Sequence, residues 1–247
     1  MESLQSKRAL ITGAAKRIGK ATTLALAEQG VDVVLHFNTS AREAEAVAEE
    51  ARSKGVRAWT LSADLARADA AEALIGRAIE QFGPLDILIS NAAIFPQNTL
   101  TTVTPEDFDV AFRVNALAPF LMARCFASQG RKGAIVNFLD ARIVDYDCNN
   151  VAYHVSKRTL FALTRMMAIE FAPNVRVNAV APGLILPPEG KDETYLEQLA
   201  STNPLNRYGG VDDVADTVVF LLRSDFVTGQ VIFVDGGRHL RGNVYGC

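Results

Sequence analysis

Three residues in the second half of the chain have side chains that could move a proton. Tyr153 and Lys157 are four positions apart, a spacing that places two side chains on one face of a helix. Because a neighbouring ammonium favours the phenolate, we expect Lys157 to lower the pKa of Tyr153. Asp140 follows the apolar run 134–139, thirteen residues before the tyrosine. A carboxyl group beside this pair would restrict the substrates that the tyrosine can protonate.

A glycine-containing turn near the N-terminus predicts a phosphate site. Residues 12–19 read Thr-Gly-Ala-Ala-Lys-Arg-Ile-Gly and lead from an apolar run into a helical pattern. Gly13 permits a tight turn, Gly19 permits close packing of helix on strand, and the N–H groups at a helix start can bind a pyrophosphate. The alternative interpretation is an ordinary strand-to-helix loop.

Short apolar runs and helical patterns alternate along the chain. The strands and helices that they predict must position the proton-transfer residues and the phosphate turn. The runs lie at 9–11, 31–37, 56–61, 85–89, 134–139, 175–180 and 231–234. The helical patterns lie at 18–29, 41–54, 70–82, 108–128, 151–171 and 211–222. This alternation predicts an α/β fold, a single-domain Rossmann-like doubly wound parallel sheet of about seven strands with helices on both faces. We expect one catalytic domain over residues 1–247, with a substrate loop around 184–205.

The composition argues against several classes of partner. The 247 residues carry a net charge of −3, which disfavours binding to nucleic acid or to an anionic membrane. No uninterrupted apolar run reaches the roughly 18 residues of a membrane span. Three scattered histidines give no metal set. Cys125, Cys148 and Cys247 are widely spaced, which favours free thiols and a cytoplasmic location.

In this order the motifs resemble those of the short-chain dehydrogenase/reductase family over almost the whole chain. Besides the turn and the Tyr-x-x-x-Lys pair, the matching positions are Asp64, Asn91, Ala92, Ala93, Asn115, Pro182, Gly183 and the segment 228–237. Three departures resemble the pteridine reductase branch: Arg17 replaces the middle glycine of the turn, Asp140 replaces a serine, and Phe95 follows the Asn91 segment. Some pteridine reductases have serine at the position of Ala93.

The resemblance implies a role for each site residue. Tyr153 protonates the substrate, Lys157 binds the nicotinamide ribose and Asn115 holds a water on the proton path. The implied cofactor is NADPH/NADP⁺, bound by Gly13, Lys16, Arg17, Ile18, Gly19, His36, Asn38, Thr39, Ser40, Asp64, Leu65, Asn91, Ala92, Tyr153, Lys157, Pro182 and Gly183. The expected substrate contacts are Arg17, Phe95, Asp140, Tyr153, Leu184 and Pro187. Because family members are commonly tetramers, a homotetramer is expected.

The end of the second apolar run favours NADP(H) over NAD(H). Residues 35–40 read Leu-His-Phe-Asn-Thr-Ser and contain no acid, whereas an NAD site usually has one there. His36, Asn38 and Ser40 could donate hydrogen bonds to a ribose 2′-phosphate, and Lys16 and Arg17 could add positive charge. The alternative interpretation is a polar strand end that caps the next helix.

The chemistry of Asp140 separates the candidate functions. An ionised carboxylate cannot donate a hydrogen bond to a carbonyl and would repel a developing oxyanion. Reduction of a pterin C=N bond needs a proton on nitrogen, which Asp140 could pass through Tyr153. The leading hypothesis is therefore an NADPH-dependent pteridine reductase acting on biopterin or dihydrobiopterin, with folate and dihydrofolate as further candidates. The alternatives are a carbonyl reductase, such as a 3-oxoacyl-carrier-protein reductase, and a non-catalytic NADPH-binding sensor.

Overall fold

Seven parallel strands form one sheet in the computed structural model, which describes residues 2–146, 148–188 and 190–241. The strands are β1 (Arg8–Ile11), β2 (Asp32–Phe37), β3 (Ala58–Ser62), β4 (Ile87–Ser90), β5 (Gly133–Phe138), β6 (Val175–Pro182) and β7 (Val231–Val234). Their order is β3-β2-β1-β4-β5-β6-β7, so the winding reverses between β1 and β4. In such sheets ligands bind at this reversal, outside the carboxyl ends of the strands. The predicted doubly wound fold is confirmed.

Helices cover both faces of the sheet. They are α1 (Arg17–Glu28), α2 (Ala41–Arg52), α3 (Ala68–Phe82), α4 (Pro105–Phe112), α5 (Ala118–Ala127), α6 (Val151–Glu170), α7 (Glu193–Leu199) and α8 (Val211–Arg223). Apolar side chains of α1, α2 and α8 pack on one face, and those of α3, α5 and α6 pack on the other. In β1, Ala9 and Ile11 belong to the first core and Leu10 to the second. Strands buried on both faces read as continuous apolar runs, as the sequence shows.

The long helix predicted before β5 is three consecutive elements in the structure. α4 begins at Pro105 because Thr104 caps it: the Thr104 hydroxyl accepts a hydrogen bond from the Asp107 N–H at 3.2 Å, and the Asp107 carboxylate accepts one from the Thr104 N–H at 2.9 Å. A π-helical turn, Arg113–Leu117, then separates α4 from α5. This turn carries Asn115.

By length and composition alone, the continuous helical segment Pro105–Ala127 could also cross a membrane. In the structure 56% of its apolar stretch is buried inside the protein, and α5 packs against α3. A core helix meets the same criterion, and these contacts account for the apolar residues of this one.

The predicted substrate loop 184–205 contains a helix that the sequence pattern does not reveal. α7 follows Asp192, whose carboxylate accepts a hydrogen bond from the Thr194 N–H at 3.1 Å, and a 3₁₀ turn, Ala200–Thr202, comes after it. A helix of two turns is too short to display the apolar periodicity that identifies longer helices.

The expectation of three free thiols is wrong in part. Cys125 is free, whereas Cys148 is disulfide-bonded, and Cys247 lies outside the described residues. The spacing of cysteines in a sequence does not by itself determine their pairing.

Gly19 packs so closely against the β1–α1 turn that a side chain would collide with it. A Cβ atom at this position would lie 2.1 Å from the Gly13 carbonyl oxygen and 2.6 Å from Asn91 Nδ2. Because the turn would have to shift, we expect Gly19→Ala to lower the free energy of unfolding by about 1–3 kcal/mol. Urea unfolding is the measurement.

Gly76 in α3 is the matched control, because no atom lies within 4 Å of its Cβ position. Gly76→Ala should raise the free energy of unfolding by about 0.5–1 kcal/mol through its helix propensity alone. If Gly19→Ala were as stable as the wild type, the claim that the turn leaves no room for a Cβ atom at Gly19 would be wrong.

Candidate active site

A cavity of about 390 Å³ opens at the carboxyl ends of the strands, where the winding reverses. Eleven predicted cofactor residues line it: Gly13, Lys16, Arg17, Ile18, Gly19, His36, Asn38, Asp64, Leu65, Asn91 and Ala92. The other six are not among its lining residues: Thr39, Ser40, Tyr153, Lys157, Pro182 and Gly183. Ala93, named above only as a position that matches the family, also lines the cavity. Three further residues of the wall were not predicted: Ala66, Ile94 and Val114. Their only signal in the sequence is that they lie next to Leu65, Ala93 or Asn115.

Hydrogen bonds hold the β1–α1 turn against the end of β4. Asn91 Nδ2 donates to the carbonyl oxygens of Thr12 at 2.9 Å and Gly13 at 3.1 Å. The Thr12 hydroxyl accepts hydrogen bonds from the N–H groups of Asn91 and Ala92, both at 3.0 Å. Lys16 occupies the N-cap position of α1 but does not cap the helix with its side chain. The helix start therefore has the geometry and the polarity to receive a phosphate.

His36 supports the turn and does not serve as the predicted phosphate donor. Its Nδ1 accepts a hydrogen bond from the Gly13 N–H at 3.3 Å, and its Nε2 donates to the Ala63 carbonyl at 3.0 Å. Burial lowers the pKa of His36 from 6.5 to about 4, so the imidazole is neutral at physiological pH. With both nitrogens used by the backbone, the ring has no N–H left for a ribose phosphate.

The end of β2 carries polar side chains and no acid. Asn38 lines the cavity, followed by Thr39 and by Ser40, which is the N-cap residue of α2. The Ser40 side chain makes no capping hydrogen bond, so its hydroxyl is not committed to the helix. Lys16 forms an ion pair with Glu43 of α2 at 2.8 Å. This ion pair reduces the positive charge that Lys16 was predicted to offer.

β5 and α6 bring the predicted proton-transfer groups together. Asp140 lies two residues after β5, and Tyr153 and Lys157 lie on the first two turns of α6. The Tyr153 hydroxyl donates a hydrogen bond to Asp140 Oδ2 at 3.0 Å, and the Arg142 N–H donates to Asp140 Oδ1 at 2.8 Å. Lys157 Nζ donates to the Phe138 carbonyl at 2.6 Å and lies 5.7 Å from the centre of the Tyr153 ring. The carboxylate is therefore directed at the phenol and not at bulk solvent.

The expected fall in the pKa of Tyr153 is wrong for this structure. Burial, the charge of Asp140 and the hydrogen bond to Asp140 all raise the pKa of Tyr153 well above 10. Burial lowers the pKa of Lys157 to about 8, although the charge of Asp140 opposes this effect. A phenolate beside Asp140 is thus costly, and Tyr153 retains its proton.

Asn115 is fully buried, and its side-chain oxygen and nitrogen both form hydrogen bonds with other residues of the protein. Its Oδ1 accepts a hydrogen bond from the Ile94 N–H at 2.9 Å. Its Nδ2 donates to the Ile94 carbonyl and to the Ser156 hydroxyl, both at 3.0 Å. The Ser156 hydroxyl in turn donates to the Tyr153 carbonyl at 2.6 Å. The side chain thus connects the cavity wall to the helix that carries Tyr153. The contribution of Ser156 to this connection was not predicted. The role of Asn115 in holding a water on the proton path stays a prediction.

Two of the predicted substrate residues flank the proton-transfer groups and the phosphate turn. Phe95 is 44% exposed and meets the Tyr153 ring edge to face, with 4.5 Å between ring centres. Arg17 has a left-handed backbone, with φ 55°, and its guanidinium donates to the Pro187 carbonyl at 2.8 Å. Leu184, in contrast, is 8% exposed and offers little surface to a ligand in this conformation.

Of the cofactor residues predicted after β3 and β6, only those after β3 line the cavity. Asp64 and Leu65 form the cavity wall beyond β3. Pro182 ends β6, and a Cβ atom at the following Gly183 would lie 2.5 Å from Asp235 Cβ. The glycine is therefore explained by its packing against Asp235.

The histidines do not form a metal centre. Within the described ranges no group of three or more His, Cys, Asp or Glu residues could hold an ion. His154 is buried, with its ring 5.2 Å from that of Tyr153, and His239 Nδ1 lies 2.8 Å from Asp235 Oδ2.

A dinucleotide-type cradle beside a Tyr–Lys pair defines a nicotinamide-dependent class of oxidoreductase fold. The family model described as enoyl-(acyl carrier protein) reductase matches residues 13–239. The chain belongs to the short-chain dehydrogenase/reductase family.

Relatives and solved structures resemble the chain over nearly its whole length. It is 35% identical to the 3-oxoacyl-[acyl-carrier-protein] reductase FabG of Staphylococcus aureus, covering 95% of this chain and 99% of that one. FolM alternative dihydrofolate reductase 1 from Brucella canis, solved with NADP, is 33% identical and superposes with a TM-score of 0.89 over 97% of this chain and 96% of that one. A short-chain dehydrogenase/reductase from Serratia marcescens is 29% identical, with a TM-score of 0.91 over 96% of this chain and 100% of that one.

The lowered pKa of His36 predicts a loss of stability in mild acid. The folded state resists protonation of His36 between pH 6.5 and about 4, while the unfolded chain takes up the proton, so stability falls as pH drops through this window. Between pH 7 and 5 we expect His36 to contribute a loss of roughly 2 kcal/mol.

Urea unfolding of the wild type and of His36→Gln at both pH values measures this contribution. Burial also lowers the pKa of His154, so the variant should retain part of the pH dependence. An identical pH dependence in both proteins would show that His36 is not buried as a neutral base.

Proposed function

We propose that the chain is an NADPH-dependent reductase of pterins, transferring hydride to a ring C=N bond. The observation that carries this proposal is the 3.0 Å hydrogen bond from the Tyr153 hydroxyl to Asp140. A carbonyl reductase needs hydrogen-bond donors around the developing oxyanion, and a carboxylate at this position is an acceptor that repels it. A pterin offers ring N–H and amino groups as donors to Asp140.

The residues of the cavity fit NADPH. The missing Cβ of Gly19 leaves room for the close turn, the start of α1 can receive the pyrophosphate, and β2 ends without an acid. Bound there, NADPH supplies the hydride. Lys157, with a pKa of about 8, is largely protonated at neutral pH and can hold a ribose hydroxyl.

Tyr153 acts as a proton relay in this scheme. Because its pKa is raised by burial and by Asp140, a free phenolate would be unfavourable beside the carboxylate. In the reacting complex Asp140 must first take up a proton from water, so that it donates across the 3.0 Å contact in which the carboxylate accepts. The proton of Tyr153 then leaves for the substrate nitrogen as the proton of Asp140 arrives. After the step Asp140 is ionised, Tyr153 is neutral and the ring nitrogen carries the new N–H bond.

A second candidate is a 3-oxoacyl-carrier-protein reductase, which the 35% identity to the S. aureus enzyme favours. NADPH oxidation with biopterin, dihydrobiopterin, dihydrofolate and an acetoacetyl thioester separates the two functions. Turnover of the thioester alone would support the second candidate. Oxidation with none of the four would favour a non-catalytic NADPH sensor.

Removal of the carboxyl group should abolish pterin reduction and spare cofactor binding. We expect Asp140→Ser to lower kcat/KM for dihydrobiopterin by about 100-fold or more, because a positioned general acid contributes roughly that factor. Asp140→Asn is the matched control: it keeps the size of the side chain but cannot release a proton, and it should be equally impaired. NADPH fluorescence titration should give dissociation constants within about threefold of the wild type. An active Asp140→Ser enzyme would refute the role of Asp140.

A carboxylate at the end of β2 should destroy the preference for NADPH. We expect the wild type to bind NADPH more tightly than NADH, and Asn38→Asp to weaken NADPH binding by about tenfold through repulsion of the 2′-phosphate. NADH binding should change little. The control Asn38→Ala removes the amide without adding a charge, so it separates the two effects of Asn38→Asp on NADPH binding. Equal affinities of the wild type for both cofactors would defeat this prediction.

A further inference from the structure

We propose that the same site reduces cyclic iminium cations, substrates that carry a positive C=N bond and need no proton from the protein. Asp140 would stabilise the cation, and Phe95 would provide a flat surface for it. This inference rests on the proposed function, because NADPH is the hydride source.

Two hydrogen bonds fix the carboxylate of Asp140 beside the Tyr153 hydroxyl. Its two oxygens accept hydrogen bonds from the Tyr153 hydroxyl at 3.0 Å and the Arg142 N–H at 2.8 Å, and the side chain is only partly exposed. The Lys157 ammonium donates instead to the Phe138 carbonyl. The charge nearest to the Tyr153 hydroxyl is thus negative.

The behaviour of Tyr153 shows the sign of the local field. Burial raises the pKa of Tyr153 most, and the charge of Asp140 and the hydrogen bond to it raise this pKa further, with the charge of Arg142 in opposition. Burial disfavours a charge of either sign, whereas the negative charge of Asp140 disfavours an alkoxide and favours a cation in the same position. A ketone gains negative charge as hydride arrives, whereas an iminium ion loses positive charge and is bound best before the reaction.

Phe95 supplies the second feature that such a substrate needs. The ring is 44% exposed and touches the Tyr153 ring with its centre 4.5 Å away, so it lies beside the proton-transfer groups. The face of an aromatic ring attracts a cation by about 0.5–2 kcal/mol, depending on desolvation. A flat aryl-fused iminium ion could therefore stack on Phe95 while its charge faces Asp140.

The electrons balance without a proton. Hydride from NADPH forms a C–H bond at the iminium carbon, and the π electrons of the C=N bond become the lone pair on nitrogen. The products are a neutral tertiary amine and NADP⁺. Tyr153 is not an acid in this reaction, which distinguishes it from pterin reduction.

The probe is N-methyl dihydroisoquinolinium, a quaternary iminium salt, incubated with the full chain and NADPH. Formation of the tertiary amine is followed against an enzyme-free control. We expect turnover by the wild type at a rate well above that of the enzyme-free control. Asp140→Asn should lose at least about tenfold in kcat/KM for the probe.

Binding of a non-reducible cation gives a readout that does not depend on turnover. N,N-dimethyl tetrahydroisoquinolinium has the same charge but no C=N bond. Calorimetry with the NADP⁺ complex should show at least about tenfold weaker binding to Asp140→Asn than to the wild type, and Phe95→Leu should weaken it about threefold or more.

Dihydrobiopterin assayed in parallel separates this inference from the pterin proposal. Reduction of the pterin but not of the iminium salt would overturn only the inference. Reduction of the iminium salt alone would support the inference and remove the pterin proposal. Equal binding of the quaternary cation by Asp140→Asn and by the wild type would also overturn the inference.

Discussion

The hydrogen bond between Tyr153 and Asp140 constrains everything that the site can do. It joins the end of β5 to the first turn of α6 at 3.0 Å, and it buries a phenol against a carboxylate. In that arrangement the phenol holds its proton strongly, because its anion would be buried away from water and would lie beside a second negative charge. A site of this kind suits substrates that gain a proton on nitrogen or arrive as cations, and it is poorly suited to oxyanions.

The rest of the fold keeps this pair next to a dinucleotide cradle. The β1–α1 turn is held by Asn91 and Thr12 and by the neutral imidazole of His36. Asn115, in the π-helical turn, connects the wall of the cavity at Ile94 to Ser156 on α6. Hydrogen bonds therefore join the wall of the cavity to the helix that carries Tyr153, although the two are built on different parts of the sheet.

The sequence predicts much of this framework because several signals are local. Continuous apolar runs identify all seven strands, and Gly19 is required by a contact that leaves no room for a Cβ atom. The pairing of Asp140 with Tyr153 follows from parallel topology, since both lie at the carboxyl edge of the sheet. These features depend on residue type and order alone.

Other features depend on tertiary surroundings that residue order does not encode. The sequence predicts His36 as a polar hydrogen-bond donor at a strand end. In the structure its imidazole is buried and neutral, and it supports the β1–α1 turn. Lys157 was expected to lower the pKa of Tyr153, yet its ammonium is directed at the Phe138 carbonyl, and burial together with the neighbouring carboxylate raises this pKa. α7 is too short to show periodicity, and Lys16 meets Glu43 only because α1 and α2 are neighbours.

A crystal structure of the protein with NADP⁺ and a dihydropterin tests the Tyr153–Asp140 interaction most directly. We predict that Asp140 Oδ2 lies within hydrogen-bond distance of the Tyr153 hydroxyl, and that this hydroxyl contacts the ring nitrogen beside the carbon that accepts hydride. A carboxylate turned into solvent, with Tyr153 bound only to Lys157 and the cofactor ribose, would contradict the central claim.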